Sequence, residues 1–166
     1  MRPSTETDSK AGMLVRKIEE GTVIDHIPDW KSGLVAQVLR LSRLAKLQAD
    51  VSVAILQNVA SRQLVRKDMI KIDRWHVDEN EADILCLIFP SITINYINEW
   101  KVSKYKARVP DIIEGRIRCP EVQCISNAER EPVSPEFVTW KKNRILQCSY
   151  CDTLLPFDRI PDYVRS

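Results

Sequence analysis

The chain has 166 residues, of which 44% are hydrophobic, so it is long enough for one domain or two small domains with cores of their own. Its 25 basic and 23 acidic residues leave a formal net charge of only +2, a balance that argues weakly against nucleic acid as the main partner. The longest apolar runs, near Val51–Leu56 and Ile84–Pro90, are far shorter than the ~20 residues that span a bilayer.

The first 13 residues are polar and contain no apolar core of a secretory signal. We expect residues 1–13 to form a disordered lead-in and the protein to be cytoplasmic. In a reducing cytosol, clustered cysteines are more often metal ligands than disulfides.

The next 90 or so residues alternate between strand and helix patterns. The run Gly21–Ile27 favours a strand that Pro28 ends, and Lys31–Gln48 has the apolar spacing of one amphipathic helix. Val51–Val59 and Arg66–Ile72 are typical of strands. A helix is predicted over Glu79–Phe89, with Asp78 and Glu81 as a capping box, and a last strand over Ser91–Val102.

This β-α-β-β-α-β order predicts an α+β fold with a ferredoxin-like, antiparallel-sheet domain over residues 14–107. The remainder, residues 108–166, has the short strands and loops of a small, mainly β domain. The boundary lies where prolines and charges become frequent after Lys101.

Four of the five cysteines lie in the second domain, as Cys119-x4-Cys124 and Cys148-x2-Cys151. Two close pairs separated by a loop are typical of a tetrahedral Zn²⁺ site, here with four thiolates and no open position for water. The alternative is four separate buried or free thiols. A domain of this size has little core, which favours a structural metal. Cys86 lies in an apolar helix and is interpreted as a small core residue.

No enzyme motif is present. The chain has four glycines and no Walker loop, dinucleotide turn, nucleophile elbow or HExxH pair. Asp25 and His26 are neighbours on a predicted strand, so we expect them to point to opposite faces and to form no dyad. Lys67, Lys71 and Lys104 lie on or beside strands and suit phosphate, and the Asn95 amide suits a base edge. Taken alone, the spacing of each lysine favours a solvated surface charge over a phosphate contact.

Three segments together resemble the regulatory chains of aspartate carbamoyltransferase. They are Gly21–Pro28 (GTVIDHIP), Arg66–Ile72 (RKDMIKI) and the four-cysteine region, with its Cys-Pro opening and Cys-x-Tyr-Cys end. The resemblance extends over about Leu14 to Phe157. It implies an allosteric domain that binds CTP, ATP or UTP and pairs into a regulatory homodimer, and a zinc domain that contacts a separate catalytic chain.

The resemblance also implies a set of nucleotide-binding residues. Asp25 and Lys71 match positions that recognise base and ribose, and Asn95 and Lys104 match ribose and phosphate positions. His26 lies near the phosphates, Trp100 supplies an aromatic wall, and Lys67 is a second basic residue near the pocket. The remaining members of the set are apolar: Val15, Ile18, Ile97 and Val102.

Glu19 and Glu20 depart from the family pattern, because well-studied members carry basic residues in this stretch, near the phosphates.

On the strength of the resemblance, the leading hypothesis is a non-catalytic regulatory subunit acting in pyrimidine biosynthesis. A nucleic-acid-binding zinc module is the alternative, since Arg116, Arg118 and the basic stretch 141–144 flank the cysteines. A free-standing enzyme is the third hypothesis.

Overall fold

A computed structural model describes residues 15–165, so the expected disordered lead-in lies outside the described residues. The first 90 of these residues form a five-stranded antiparallel sheet with strand order β2-β3-β1-β4-β5. Its strands are β1 (Gly21–Ile27), β2 (Ser52–Ser61), β3 (Val65–Asp73), β4 (Thr93–Asn98) and β5 (Lys101–Lys104). Three helices accompany the sheet: α1 (Ser32–Val38), α2 (Leu41–Leu47) and α3 (Glu79–Ile88). The predicted ferredoxin-like arrangement is confirmed, and β5 is added to one edge.

The core lies on one face of this sheet. Ile24, Ile70 and Ile72 are fully buried, and they alternate along the strands with less buried residues of the opposite face. Leu85 and Val35 from the helices are buried in the same cluster. The opposite face is therefore free to carry polar side chains.

The single helix predicted over Lys31–Gln48 is wrong, because the chain breaks into α1 and α2 at Arg40. Arg40 adopts a left-handed conformation with φ of 52°. In one continuous helix, residues two apart lie about 200° apart around the axis and cannot both face a core. The break lets both Leu39 and Leu41 be buried.

The single strand predicted over Ser91–Val102 is also wrong. Glu99 and Trp100 both have positive φ, 49° and 67°, and form a two-residue turn that pairs Asn98 with Lys101. This turn type matches the twist of a hairpin and usually contains Asn-Gly, so the Glu-Trp pair gave no signal for it. Trp100 consequently lies at the tip of the β4–β5 hairpin.

The predicted helix cap is present. The Asp78 carboxylate accepts a hydrogen bond of 2.8 Å from the backbone N–H of Glu81, as the capping-box pattern requires.

Residues 112–156 form a second antiparallel sheet with order β6-β7-β8-β9. Its strands are β6 (Ile112–Glu114), β7 (Glu136–Trp140), β8 (Ile145–Cys148) and β9 (Leu154–Pro156), and a 3-10 helix over Phe157–Tyr163 follows them. Phe137, Leu146, Leu155 and Ile160 fill its interior. The predicted α+β class with a small, mainly β part is thus confirmed. In the part of the chain that the structure describes, no helix is long and apolar enough to cross a membrane.

Candidate functional site

The structure brings Cys119, Cys124, Cys148 and Cys151 together, with all four sulfurs within 4.8 Å of one another. The Cys119 and Cys151 Sγ atoms are 3.5 Å apart, and the Cys124 and Cys148 Sγ atoms are 3.8 Å apart. All four cysteines are free thiols.

Two tight turns hold the thiols in place. The Asn127 side-chain amide donates to the carbonyls of Cys119 and Glu121, at 2.9 and 2.7 Å, and so fixes the first loop. In the second loop the backbone N–H of Cys148 donates to the Thr153 carbonyl at 2.9 Å. The two loops therefore face each other across one point, and each loop contributes two sulfurs.

The cluster fits a tetrahedral metal ion. Four thiolates at a Zn–S distance of about 2.3 Å would place neighbouring sulfurs about 3.8 Å apart, close to the distances found. Three of the four cysteines are buried and Cys151 is half-buried, so the centre is closed to substrate. Such a donor set serves structure rather than catalysis.

The thiols differ in acidity. Burial raises the pKa of Cys119 and of Cys148 above the usual thiol value. Burial also acts to raise the pKa of Cys151, but hydrogen bonds with Thr153 and the neighbouring thiols outweigh it and lower the pKa to about 7. A metal ion that binds here must therefore displace protons from the buried thiols, which couples metal binding to pH.

The second candidate site is a cavity of about 990 Å³ at the end of the first sheet. Four residues of the predicted nucleotide set line it: Val15, Ile18, Lys71 and Trp100. The segment 15–20 forms one wall and is held by the sheet, since Trp100 N–H donates to the Glu19 carbonyl at 3.0 Å. The cavity thus lies between this segment and the strand ends.

Lys71 is the half-buried cation of the cavity, whereas Arg16, Lys17 and Arg74 are exposed. Its ammonium donates to the carbonyls of Val15 and Arg16, at 3.3 and 3.2 Å. Burial lowers the pKa of Lys71. The ammonium is thus partly desolvated and already paired with two backbone oxygens. A ligand oxygen can take the place of these carbonyls as the acceptor.

Two further predicted residues lie in register with Lys71 across the sheet. Lys71 pairs with Val23 on β1, Val23 with Asn95 on β4, and Asn95 with Lys104 on β5. Directly paired residues share a face, so the Lys71, Asn95 and Lys104 side chains project from the open face. Ile97 and Val102 pair with each other one step further along β4 and β5.

Asp25, His26 and Lys67 form a separate cluster on this sheet. The Lys67 ammonium lies 2.7 Å from Asp25, and the His26 Nδ1 lies 3.4 Å from the other Asp25 oxygen. The expectation that Asp25 and His26 point to opposite faces is wrong, because a β-bulge before Ile27 and a φ of 56° at His26 turn the ring towards its neighbour. His26 Nδ1 is buried and makes no hydrogen bond.

Sequence reasoning missed several cavity residues. They are Arg16, Lys17, Ser52, Ala54, Asp73 and Arg74. Asp73 lies two residues after Lys71 on one strand, so the strand period would have found it. The residues of segment 15–20 follow no period, and only tertiary structure places them. Glu19 and Glu20 do line the cavity, as their position before Gly21 suggested.

The fold and the two sites define a class of protein: a two-sheet α+β chain with a closed four-thiol metal centre and a separate ligand cavity. Two family models match the chain. The model of the aspartate carbamoyltransferase regulatory chain, allosteric domain, matches residues 13–109, and the model of the metal-binding domain of the same chain matches residues 111–161.

Curated relatives carry the same name, aspartate carbamoyltransferase regulatory chain. The protein of Hyperthermus butylicus is 42% identical over 89% of this chain and 91% of its own length. That of Thermofilum pendens is 41% identical over 93% and 96%, and that of Staphylothermus marinus is 39% identical over the whole of both chains. This chain therefore belongs to the family of aspartate carbamoyltransferase regulatory chains, which are non-catalytic subunits.

Proposed function

We propose that this chain binds nucleoside triphosphates (CTP, ATP or UTP) in the 990 Å³ cavity and passes their effect to a separate catalytic chain in pyrimidine biosynthesis. The observation that carries the proposal is the partly desolvated Lys71 ammonium at a cavity of nucleotide size. Ligand sites usually measure about 300–1,000 Å³, so this cavity is at the upper end of that range.

The charges around the cavity support an anionic ligand. Four cations, Arg16, Lys17, Lys71 and Arg74, line it together with three carboxylates, Glu19, Glu20 and Asp73. Glu19 and Glu20 are exposed and can turn outward. Where a carboxylate lies about 4 Å from a phosphate, the repulsion is about 4 kcal/mol at an effective dielectric constant of 20, so their orientation sets affinity.

The other predicted nucleotide contacts follow from the open sheet face. Asn95 and Lys104, in register with Lys71, would meet ribose and phosphate, and Trp100 would cover the base. Asp25, His26 and Lys67 would contribute from the neighbouring cluster. Ile97 and Val102 would form the apolar floor beside Trp100.

The metal that we propose for the second sheet is one structural Zn²⁺, held by Cys119, Cys124, Cys148 and Cys151. When bound it supplies a cross-link between the two loops. The residues themselves shape the surface around it, since the sheet it supports presents Ile112, Val138, Trp140 and Leu154 on one exposed face. We propose that this apolar face docks onto the catalytic chain, with residues 14–107 and 108–166 as the two functional domains. The proposed complex is cytoplasmic, and its regulatory chains pair as homodimers.

The test uses the chain assembled with its catalytic partner. Aspartate saturation curves are measured with and without CTP, ATP and UTP. We expect at least one nucleotide to shift the half-saturating aspartate concentration by about 5–150-fold, the range of typical coupling energies. Curves that no nucleotide moves would contradict the regulatory role even if the complex assembles.

A matched pair of variants assigns the effect to the cavity. Lys71→Gln should raise the nucleotide dissociation constant about 10–100-fold, because a charge-assisted hydrogen bond is lost. Lys46→Gln, on the exposed surface of α2, should leave it unchanged. Equal affinities in the two variants would exclude Lys71 from the site.

A further inference from the structure

Helix α3 is held at its N-terminal end by a side chain from the second sheet's region. Asp78 caps α3 with one carboxylate oxygen, and its other oxygen lies 2.7 Å from the guanidinium of Arg116. The same guanidinium lies 3.5 Å from Glu81 in the first turn. Arg116 thus contacts two of the three acidic residues at this end of the helix, Asp78 and Glu81.

A second arginine contacts the C-terminal end of α3, here through backbone carbonyls. A guanidinium nitrogen of Arg144 lies 3.3 Å from the Leu87 carbonyl and 3.5 Å from that of Ile88. These carbonyls have no helical partner and carry the negative end of the helix dipole, which a cation stabilises. Arg144 also packs over the Phe157 ring, 5.1 Å from its centre, so its position depends on the second sheet's region.

The N-terminal end of α3 is also close to the nucleotide cavity along the chain. Asp73 and Arg74 line the cavity, and Asp78 follows four residues later. The intervening loop is held firmly: the buried Thr22 hydroxyl donates to the Trp75 carbonyl and accepts from Val77 N–H, both at 3.0 Å. A displacement of the cavity wall therefore moves Asp78 instead of being absorbed by a flexible loop.

Both arginines lie beside the metal loops. Arg116 precedes Cys119 by three residues, and Arg144 precedes Cys148 by four. A change in the position of either arginine would therefore displace the neighbouring cysteine loop.

We infer that α3 is the strut that couples the nucleotide cavity to the metal centre, and that Arg116 and Arg144 are the positioning residues at its two ends. The inference rests on the proposed function and names the contacts that would carry its regulation. The contacts at the N-terminal end are partly exposed, with side-chain exposures of 34% for Arg116 and 47% for Asp78. Partly exposed pairs contribute little to folding, so their removal leaves the chain folded and isolates the coupling.

The first experiment measures regulation in the assembled enzyme. Asp78→Ser keeps a good cap and removes the charge that meets Arg116, and Arg116→Gln removes the partner. Each should reduce the CTP- or ATP-induced shift in half-saturating aspartate at least about twofold, the smallest coupling that contacting residues commonly show. The double variant should lose no more than Arg116→Gln alone, because that change already removes the contacts of Arg116 with both Asp78 and Glu81.

The control is Arg159→Gln, which breaks an exposed ion pair of 2.8 Å with Asp162 that includes no residue of α3. It should leave the shift at its original size. Nucleotide affinity of the isolated full chain should be the same in all variants. A full shift in Asp78→Ser and Arg116→Gln, or a tenfold loss of nucleotide affinity in either, would overturn the inference.

The second experiment requires no nucleotide. Amide hydrogen exchange is followed over α3 in the full chain, with its metal bound and after chelation. Chelation should speed exchange at residues 79–82 and 87–89, and Arg116→Gln and Arg144→Gln should each speed it at their own end with metal bound. If the exchange rates in α3 change neither on chelation nor in the variants, the inference that α3 couples the two sites is wrong. If nucleotides do not shift the aspartate saturation curve of the unmodified enzyme, the proposed function is wrong. The exchange rates would still test whether α3 is coupled to the metal centre.

Discussion

Asp68 is a fully buried carboxylate that ties three segments together. It accepts hydrogen bonds of 3.0 Å from the backbone N–H groups of Ser32 and Asn58. Burial acts to raise the pKa of Asp68, but the hydrogen bonds from Asn58 and Ser32 outweigh it and hold the pKa below the ordinary 3.8. The charged form is therefore the one that stabilises the fold.

The prediction at Asp68 concerns its pH dependence. Asp68→Asn should lower the free energy of unfolding by about 2–3 kcal/mol at pH 7, since charge-assisted hydrogen bonds are lost. Because the folded-state pKa is depressed, the stabilisation is present above 3.8 and is lost as pH falls through the folded-state value. Denaturant unfolding of both chains at several pH values measures the difference, which should shrink below pH 3.8. A difference that is constant with pH would contradict this assignment.

Gly21 is a second residue at which one substitution should destabilise the first sheet. It has φ of 134°, and a Cβ there would overlap the carbonyl oxygen of Ile72. Gly21→Ala should destabilise the chain by about 2–4 kcal/mol through strain at this close approach. Gly33→Ala is the matched control, because a Cβ at Gly33 in α1 meets no atom within 4 Å and alanine favours a helix. The melting temperature should therefore fall for Gly21→Ala and rise for Gly33→Ala.

At the scale of elements, the β4–β5 hairpin offers a stabilising substitution. Glu99 is exposed and has a left-handed conformation that asparagine adopts at lower cost. Glu99→Asn should raise stability by about 0.5–1 kcal/mol, and Glu99→Val, with a branched Cβ, should lower it. Melting temperatures that fall with asparagine would mean that the turn is not of this type.

The same elements explain what the sequence could predict. Strands β1, β2 and β3 and helix α3 were predictable because each depends on local periodicity, and the cap of α3 was predictable from Asp78 and Glu81. The break at Arg40 and the turn at Glu99-Trp100 were not, because both place ordinary residues at positive φ where a glycine or asparagine would have signalled it. Tertiary burial of Leu39 and Leu41 compensates the strain at Arg40.

The two candidate sites differ in the same respect. The convergence of four cysteines was predictable, since two short pairs on turns need only one hairpin to meet. The cavity was only partly predictable, because its wall is the irregular segment 15–20 and its strands are distant in sequence. The orientation of His26 was not predictable, because a bulge breaks the side-chain alternation of a regular strand at this position.

At the scale of the whole molecule, metal and fold are linked. Cys148→Ser should abolish metal binding and unfold residues 112–164, because the binding energy of a structural Zn²⁺ is folding energy of about 10–16 kcal/mol. The β1–β5 sheet, which has its own fully buried residues Ile24, Ile70 and Ile72, should keep its protection against hydrogen exchange. Metal content and exchange of the two regions check this prediction.

Cys86→Ser is the control for the metal prediction. Cys86 is half-buried in α3, burial raises the pKa of its thiol to about 11, and it lies outside the four-thiol cluster. Its replacement should leave one metal ion per chain. Full metal content in Cys148→Ser would contradict the assignment of the ligands.

The hold of the Val15 and Arg16 carbonyls on Lys71 has a kinetic consequence. A nucleotide that binds this ammonium as proposed would first have to displace the two backbone carbonyls, so segment 15–20 would compete with it. Association that waits on such a rearrangement is slower than the usual 10⁵–10⁷ M⁻¹s⁻¹ or so. When the nucleotide dissociates, the Val15 and Arg16 carbonyls would again accept hydrogen bonds from Lys71, so the segment would slow association without contributing a contact to the bound nucleotide.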